Sequence, residues 1–339
     1  MSGSPRLGHT AEEFGISIIG VGGYVPTRPI TNDYLASTTG LSPEEIVKRT
    51  GVEMRYIVAE GDTASGISAS AATEAMAMAR VDAEQLGLVV GCTYSGDYVF
   101  PAMSARVAGL IGARRAGAFD ILANCTGFQV GISVAADWMR QDPAVEYGLV
   151  VGTAVQSPYI DWRDHESIYF GDGAGAAILG RVPAGFGILA RDLLTNATVY
   201  DSVRLRGGGS SHPMRPDNVD QGLQYYEMNG MEVWKQVIRY QPQVIRGALA
   251  KIDKTVEDVD FFIFHQANLR LIEYLMAKMH HPMSRTYTNV AEIGNTADAS
   301  LALALAGAVQ EGRIKRGDLV VISGVGAGFT FGATVLRWY

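Results

Sequence analysis

The sequence is poor in the residues that hold small extracellular scaffolds together. Among 339 residues there are two cysteines, Cys92 and Cys125. Two thiols in so long a chain make no disulfide framework and suit a reducing compartment, so a cytoplasmic protein is expected. No apolar run approaches the ~18 residues that would span a bilayer. The polar segment 1–13 has no apolar h-region, so it reads as no secretory signal, and residues 1–15 are expected to form a flexible arm. Charge is also sparse: 19% of residues are charged and the net charge is −7. That balance speaks against non-specific binding to nucleic acid or an anionic membrane. With 12 prolines and no Gly-X-Y period, a collagen-like chain is excluded. What is abundant is apolar residues, 47%, and glycine, 40 residues. The first can fill a large core, and the second must serve tight turns and close backbone contacts.

Short apolar runs recur in order. Leu88-Val89-Val90 and Phe261-Phe262-Ile263 are offset by 173 residues, Leu149-Val150-Val151 and Leu319-Val320-Val321 by 170, and the glycine-rich runs at Gly171 and Gly324 by 153. The offsets are near half the chain length, which predicts two similar α/β halves, 16–184 and 185–339, packed as one body. The shorter last offset predicts an insertion of roughly 17 residues in the first half near 159–169. Periodicity and capping signals predict a strand over 15–22 and helices over 42–49, 63–80, 100–110, 126–140, 231–250, 268–279 and 299–310. Alternation of strands with helices predicts largely parallel sheets covered by helices.

Cys125 follows the apolar run Ala118 to Leu122 and opens the helix predicted over 126–140. A thiol there faces unpaired backbone N–H groups and the positive end of a helix, which favours thiolate. Gly127 removes bulk where a substrate would approach. An inert buried cysteine is the competing reading, and it is the preferred one for Cys92. His265 stands where the run Phe261 to Phe264 ends, the usual place for ligands in α/β sheets. Asn295 lies 170 residues after Cys125 and is expected at the equivalent helix start, so a pseudo-twofold would bring Cys125, Asn295 and His265 together. A core histidine and a helix N-cap are the competing readings of His265 and Asn295. The run Gly171-Asp172-Gly173-Ala174-Gly175-Ala176 loosely matches a dinucleotide fingerprint, but a strand follows it where a helix is required. Pro26 and Pro29 forbid the helix after Gly20-Val21-Gly22-Gly23. His280-His281 has no Cys, Asp or Glu at ligand spacing, so no metal is expected.

These residues are also the pattern of a known family. Thr50-Gly51-Val52, Asn124-Cys125-Thr126-Gly127-Phe128, Phe170 to Ala176, His265 to Arg270, Gly294-Asn295-Thr296 and Gly326 to Thr330 resemble β-ketoacyl-acyl-carrier-protein synthase III and its acyltransferase relatives in the thiolase superfamily. The resemblance implies two fused βαβαβαββ halves in five layers, as a homodimer. It implies that Cys125 takes an acyl group from a thioester, and that His265 and Asn295 hold the thioester carbonyl of a malonyl-type extender during decarboxylation. The backbone N–H groups of Cys125 and Ala327 would form the acyl oxyanion hole. Phe100 matches a position reaching the partner subunit's acyl pocket, and Phe329 is expected at that pocket. Arg49 matches a coenzyme A contact, and Arg270 and Lys278 match sites that dock the acidic acyl carrier protein. No permanent cofactor is implied: acyl-coenzyme A or the phosphopantetheine of a carrier protein is substrate. Glu45 stands where the family commonly has a Trp that stacks on adenine. A carboxylate repels phosphate there, which favours a carrier-bound donor. Phe264 replaces a common Pro, and the insert 159–165 lies near the family's cofactor entrance. Two other functions stay open: acyl transfer onto a hydroxyl or amine with His265 as base, and a non-catalytic partner subunit.

Overall fold

A computed structural model describes residues 14–339. Phe14 and Gly15 already belong to the first strand, and the rest of the expected arm lies outside the described residues. The first half runs β1 (Phe14–Tyr24), β2 (Arg28–Thr31), α1 (Asn32–Thr39), α2 (Pro43–Thr50), β3 (Met54–Ile57), α3 (Ala64–Ala79), β4 (Leu86–Cys92), α4 (Met103–Ile111), β5 (Gly117–Ile121), α5 (Gly127–Gln141), β6 (Tyr147–Ala154) and β7 (Gly173–Pro183). The second runs β8 (Gly187–Thr195), β9 (Val203–Leu205), β10 (Tyr226–Met228), α6 (Gly230–Ala250), β11 (Phe261–Phe264), α7 (Leu269–Lys278), α8 (Val290–Ile293), α9 (Ser300–Gln310), β12 (Leu319–Gly326) and β13 (Thr330–Arg337).

Local chemistry starts most helices where the sequence indicates. Ser42 caps α2 by accepting from Glu45 N–H, and Pro43 occupies the first turn. Thr63 caps α3 and Asn268 caps α7. Helix α4 begins at Met103, later than the predicted 100. Its first N–H groups, from Met103 and Ser104, donate at 2.5 and 2.9 Å to the carboxylate of Asp120 on β5. A cap supplied by another element leaves no local signal.

The first sheet has the order β1-β7-β6-β4-β5, and the second β11-β12-β13-β8. Pairing is parallel for β4 with β5 and β6 and for β11 with β12, and antiparallel for β7 with β6 and β1 and for β13 with β12 and β8. The sheets are therefore mixed rather than largely parallel, because each half ends in two strands joined without a crossover helix. The second half repeats the order of the first, with its outer strand reduced to a parallel bridge between Phe262 and Thr286. The loop between β6 and β7 spans 155–172, whereas β12 and β13 are joined across 327–329, which locates the extra residues of the first half. The glycine-rich match is not topologically equivalent: Gly173 and Gly175 open β7, whereas Gly324 and Gly326 close β12.

Three buried clusters define the layers. Side chains of α3 and α4 cover the outer face of the first sheet. Side chains of α5 and α9, including Phe128, Ile132, Leu301 and Leu305, lie between the two sheets. Helices α6 and α7 cover the outer face of the second sheet. The result is an αβαβα sandwich with α5 and α9 side by side at its centre. Gly175 lets α9 lie close on β7, since a Cβ there would lie 2.5 Å from that of Ala302.

Candidate active site

The two central helices start alike. A 3₁₀ turn, Asn124–Thr126, leads into α5, and a second, Ala297–Ala299, leads into α9. Their first residues, Asn124 and Ala297, have φ of 48° and 42°, and neither helix has a side-chain cap. The element-by-element equivalence makes Asp298 the counterpart of Cys125. Asn295 lies three residues before it, so its expected equivalence to Cys125 is corrected.

Cys125 is half-buried in its turn. Asn124 Nδ2 donates to the carbonyl of Ala327 at 3.0 Å and so ties the nucleophile's turn to the β12–β13 loop. The N–H of Ala327 has no acceptor among the described residues. Burial, then the charge of Asp298, pushes the thiol above its ordinary pKa, against the pull of its own backbone N–H. Burial thus opposes the stabilisation of thiolate expected from the start of the helix. Gly127 is also explained differently. A Cβ on it would lie 3.0 Å from Asp298 Oδ1 and 3.2 Å from Cys92 Cβ, so the glycine makes room for the carboxyl rather than for substrate.

His265 follows β11, and its N–H donates to Ser323 O at 3.1 Å. Its Nδ1 lies 2.9 Å from Ser300 Oγ, and the same Oγ accepts the N–H of Gln266 at 2.6 Å. The hydroxyl proton is then available to Nδ1, and in that arrangement the imidazole hydrogen lies on Nε2. Burial lowers the His265 pKa to about 3, so the ring is neutral. Asn295 follows Gly294, whose φ of 70° and proximity to Tyr169 O, 2.8 Å from a Cβ there, require glycine. Asn295 Oδ1 accepts the N–H of Ala297 at 2.9 Å, which orients the amide and leaves Nδ2 without a partner among the described residues. The histidine and the asparagine therefore present two N–H donors. Asn295 orders the start of the turn with its oxygen, although the cap position itself is Thr296, which makes no side-chain cap bond.

The three residues converge on the start of α9 and the end of β12. Ser300 holds His265, Ala297 holds Asn295, and Cys125 O lies 3.3 Å from where a Gly324 Cβ would sit, next to the Ser323 that receives His265. Gln156 Nε2 donates to Asn295 O at 2.8 Å, and Tyr94 OH donates to Gln156 Oε1 at 2.9 Å. The hydroxyl of Tyr226 on β10 bonds that of Tyr94. Ser300, Tyr94, Tyr226 and Asp298 were missed by sequence reasoning. Ser300 and Asp298 lie within six residues of Asn295, so extending that motif would have found them. Nothing local marks the two tyrosines. Asp172 of the Gly-Asp-Gly run is structural: its carboxylate accepts from Val58, Gln156 and Ser157 N–H groups.

The remaining expected residues lie apart from this centre. Phe329 is buried and stacks on Phe331 with centroids 6.3 Å apart. Phe100 is 83% exposed, beside Val99 at 94% and Tyr98 at 66%. Arg49 pairs with Glu45 one turn before it. Arg270 donates to Lys48 O and Val47 O, each at 3.3 Å, and pairs with Glu273, so it fastens α2 to α7. Lys278 lies two turns along α7, about 12 Å away, with Nζ 5.7 Å from the Tyr274 ring centroid. The insert 159–165 packs against α1 and α2: Trp162 joins the cluster of Leu35 and Ile46, and His165 Nε2 bonds Thr39 O at 3.0 Å. Among the described residues, no cluster of three or more His, Cys, Asp or Glu could hold a metal.

Layers and topology, with a half-buried cysteine at the start of one central helix, define an acyltransferase of the thiolase fold. Two family models match: 3-oxoacyl-[acyl-carrier-protein] synthase III over residues 119–197, and its C-terminal part over 249–338. The β-ketoacyl-[acyl-carrier-protein] synthase III of Synechocystis is 38% identical over 96% of this chain and 98% of its own length. The crystal structure of the 3-oxoacyl-[acyl-carrier-protein] synthase III of Aquifex aeolicus is 33% identical, with a TM-score of 0.86 over 96% of this chain and 100% of that one. The priming β-ketosynthase of the R1128 polyketide pathway is 29% identical, with a TM-score of 0.87 over 98% of this chain and 99% of that one. The chain belongs to the β-ketoacyl-[acyl-carrier-protein] synthase III family.

Proposed function

We propose that the chain starts a fatty-acid or polyketide chain by decarboxylative condensation. Cys125 attacks an acyl thioester and keeps the acyl group as a new thioester. A malonyl thioester bound to acyl carrier protein then loses carbon dioxide, and its enolate carbon attacks the acyl-Cys125. His265 Nε2–H and Asn295 Nδ2–H stabilise the enolate oxygen, where charge develops, and one such donor is typically worth about 3 kcal/mol. The free N–H of Ala327 and that of Cys125 do the same for the acyl carbonyl.

The observation that carries this reading is the bond between Ser300 and His265 Nδ1. An imidazole whose Nε2 already bears hydrogen is a donor and not a base, so it suits enolate stabilisation better than activation of an alcohol or amine. The Arg49–Glu45 pair occupies the cation that would meet a coenzyme A phosphate, which favours a carrier-bound donor. Lys278 on α7 supplies positive charge for the acidic carrier, beside Arg270, whose guanidinium is shared with Glu273. The exposed apolar loop of Tyr98, Val99 and Phe100 suits burial against a second copy of the chain. Intact-mass measurement after incubation with acyl-carrier proteins and acyl-coenzyme A tests the first step. An adduct is expected on Cys125 and absent in Cys125→Ala. No adduct from any donor on folded protein would refute the covalent route.

A further inference from the structure

Gln156 is a buried amide, bonded to Asn295, that neither acyl loading nor condensation uses directly. It is 1% exposed, and its side chain is fully paired. Its Nε2 donates to Gly171 O at 2.6 Å and to Asn295 O at 2.8 Å. Both partners are carbonyls and only accept, so the orientation of the amide is fixed and Oε1 receives. Tyr94 OH supplies that proton at 2.9 Å, and the Tyr94 oxygen in turn accepts from Tyr226 OH. The protons therefore all point one way, from Tyr226 through Tyr94 and Gln156 to Asn295. Packed rings hold the far end: the Tyr226 centroid lies 6.0 Å from that of Tyr94, 5.6 Å from Phe170 and 6.4 Å from Tyr159.

The topology shows what these bonds connect. β6, β4 and β5 are adjacent and parallel, with Cys92 level with both Gly152 and Ile121. Their carboxyl ends lie side by side, where α/β sheets bind ligands. Gln156 stands two residues beyond β6, Tyr94 two beyond β4 and Cys125 four beyond β5. Asn295 belongs to the other half of the chain. Its N–H donates to Tyr169 O at 2.7 Å and its carbonyl accepts from Gly171 N–H at 3.0 Å, which stitches it to the 155–172 loop. Gln156 joins both that loop and Asn295 to the end of β6, and so to the sheet that carries the turn of Cys125. With N–H and carbonyl both held, the Cα–Cβ direction of Asn295 is set, and Ala297 N–H on Oδ1 completes the aim of Nδ2. We propose that Gln156, held in turn by Tyr94 and Tyr226, is a positioning residue that fixes the Asn295 donor relative to Cys125 and so governs decarboxylation without governing acyl loading. A donor misplaced by about 1 Å costs up to about 100-fold in rate. The proposal rests on the reading of Asn295 as a donor to the enolate.

A double-mutant cycle separates positioning from general support of the site. Intact mass follows acylation of Cys125, and labelled bicarbonate follows carbon dioxide release from malonyl-carrier protein. The proteins are the wild type, Gln156→Leu, Asn295→Ala and the pair. Gln156→Leu should slow carbon dioxide release by about tenfold or more and change loading by no more than about threefold. Asn295→Ala should slow release by a factor above about 100. Adding Gln156→Leu to it should cost less than about twofold more, because the group that Gln156 positions is gone. A further loss of about tenfold in the pair would mean that Gln156 supports the site at large, and would overturn the proposal. An unchanged release rate in Gln156→Leu, or equal loss in both steps, overturns it too. If Gln156→Leu does not fold, Tyr94→Phe takes its place in the cycle, since it removes only the hydroxyl that holds Gln156 Oε1. Tyr226→Phe acts one bond further away and should cost less than Tyr94→Phe. A larger cost would mean that Tyr226 meets the substrate itself, which contradicts the relay. Wild-type release by Asn295→Ala would sink the reading of Asn295 as a donor and the proposal with it. A full Asn295→Ala effect with an additive pair leaves that reading standing and overturns the proposal alone.

Discussion

Replacing Ser300 by alanine isolates the state of His265 from its presence. Ser300 Oγ receives the Gln266 N–H at 2.6 Å and lies 2.9 Å from His265 Nδ1, and the residue is fully buried. The alanine leaves one buried N–H unsatisfied, which costs about 1–3 kcal/mol of stability. It also frees the imidazole to place its hydrogen on Nδ1 or to turn. Complete loss of one donor to the enolate is worth about 3 kcal/mol, a factor above 100. A ring that divides its time between tautomers should lose part of that, about 10- to 100-fold. The effect should fall on carbon dioxide release from malonyl-carrier protein, measured as labelled bicarbonate. Acylation of Cys125, followed by intact mass, should change no more than about threefold, since the acyl oxyanion uses backbone donors. Equal loss in both steps would mean a general collapse of the site. Undiminished decarboxylation would show that Ser300 does not set the tautomer, and the assignment of His265 as donor would fall.

Other predictions follow from the same contacts. The His265 pKa near 3 predicts decarboxylation with no imidazole titration between pH 5 and 8. It also predicts a stability cost on acidification. The unfolded imidazole binds its proton near 6.5 and the folded one near 3, so stability is present above 6.5 and falls by on the order of 1 kcal/mol per pH unit below it. Urea melts of the wild type against His265→Asn between pH 6.5 and 4.5 should show the difference shrinking in acid. Glu45→Gln releases Arg49 from its pair and should lower the KM for acyl-coenzyme A a few-fold, about 0.3–1 kcal/mol, with kcat unchanged. Phe100→Asp places a charge on a side chain that is 83% exposed. It should weaken self-association by at least tenfold in sedimentation with little change in melting temperature.

The sequence carried much of this account and failed where causes lay in other elements. Ser42-Pro43 and Thr63 mark helix starts because their capping is local. The start of α4 is set by Asp120 across the sheet, so it was placed too early. Matching by equal offset paired Cys125 with Asn295, because a short motif has no topology. Only the matching 3₁₀ turns and positive φ values show that Asp298 is the mate. Cys125 shows the same limit: a helix start that favours thiolate is visible in sequence, whereas the burial that opposes it is not. The pairing of Arg49 with Glu45 one turn earlier is legible in the sequence, because residues four apart share a helix face.

The central claim is tested most directly by single-turnover reaction of preformed acyl-Cys125 protein with malonyl-carrier protein. Carbon dioxide and a β-ketoacyl-carrier protein should appear together, one of each per acyl group, as free Cys125 returns in the intact mass. Hydrolysis of the acyl group, or its transfer to an added alcohol with no carbon dioxide released, would contradict it.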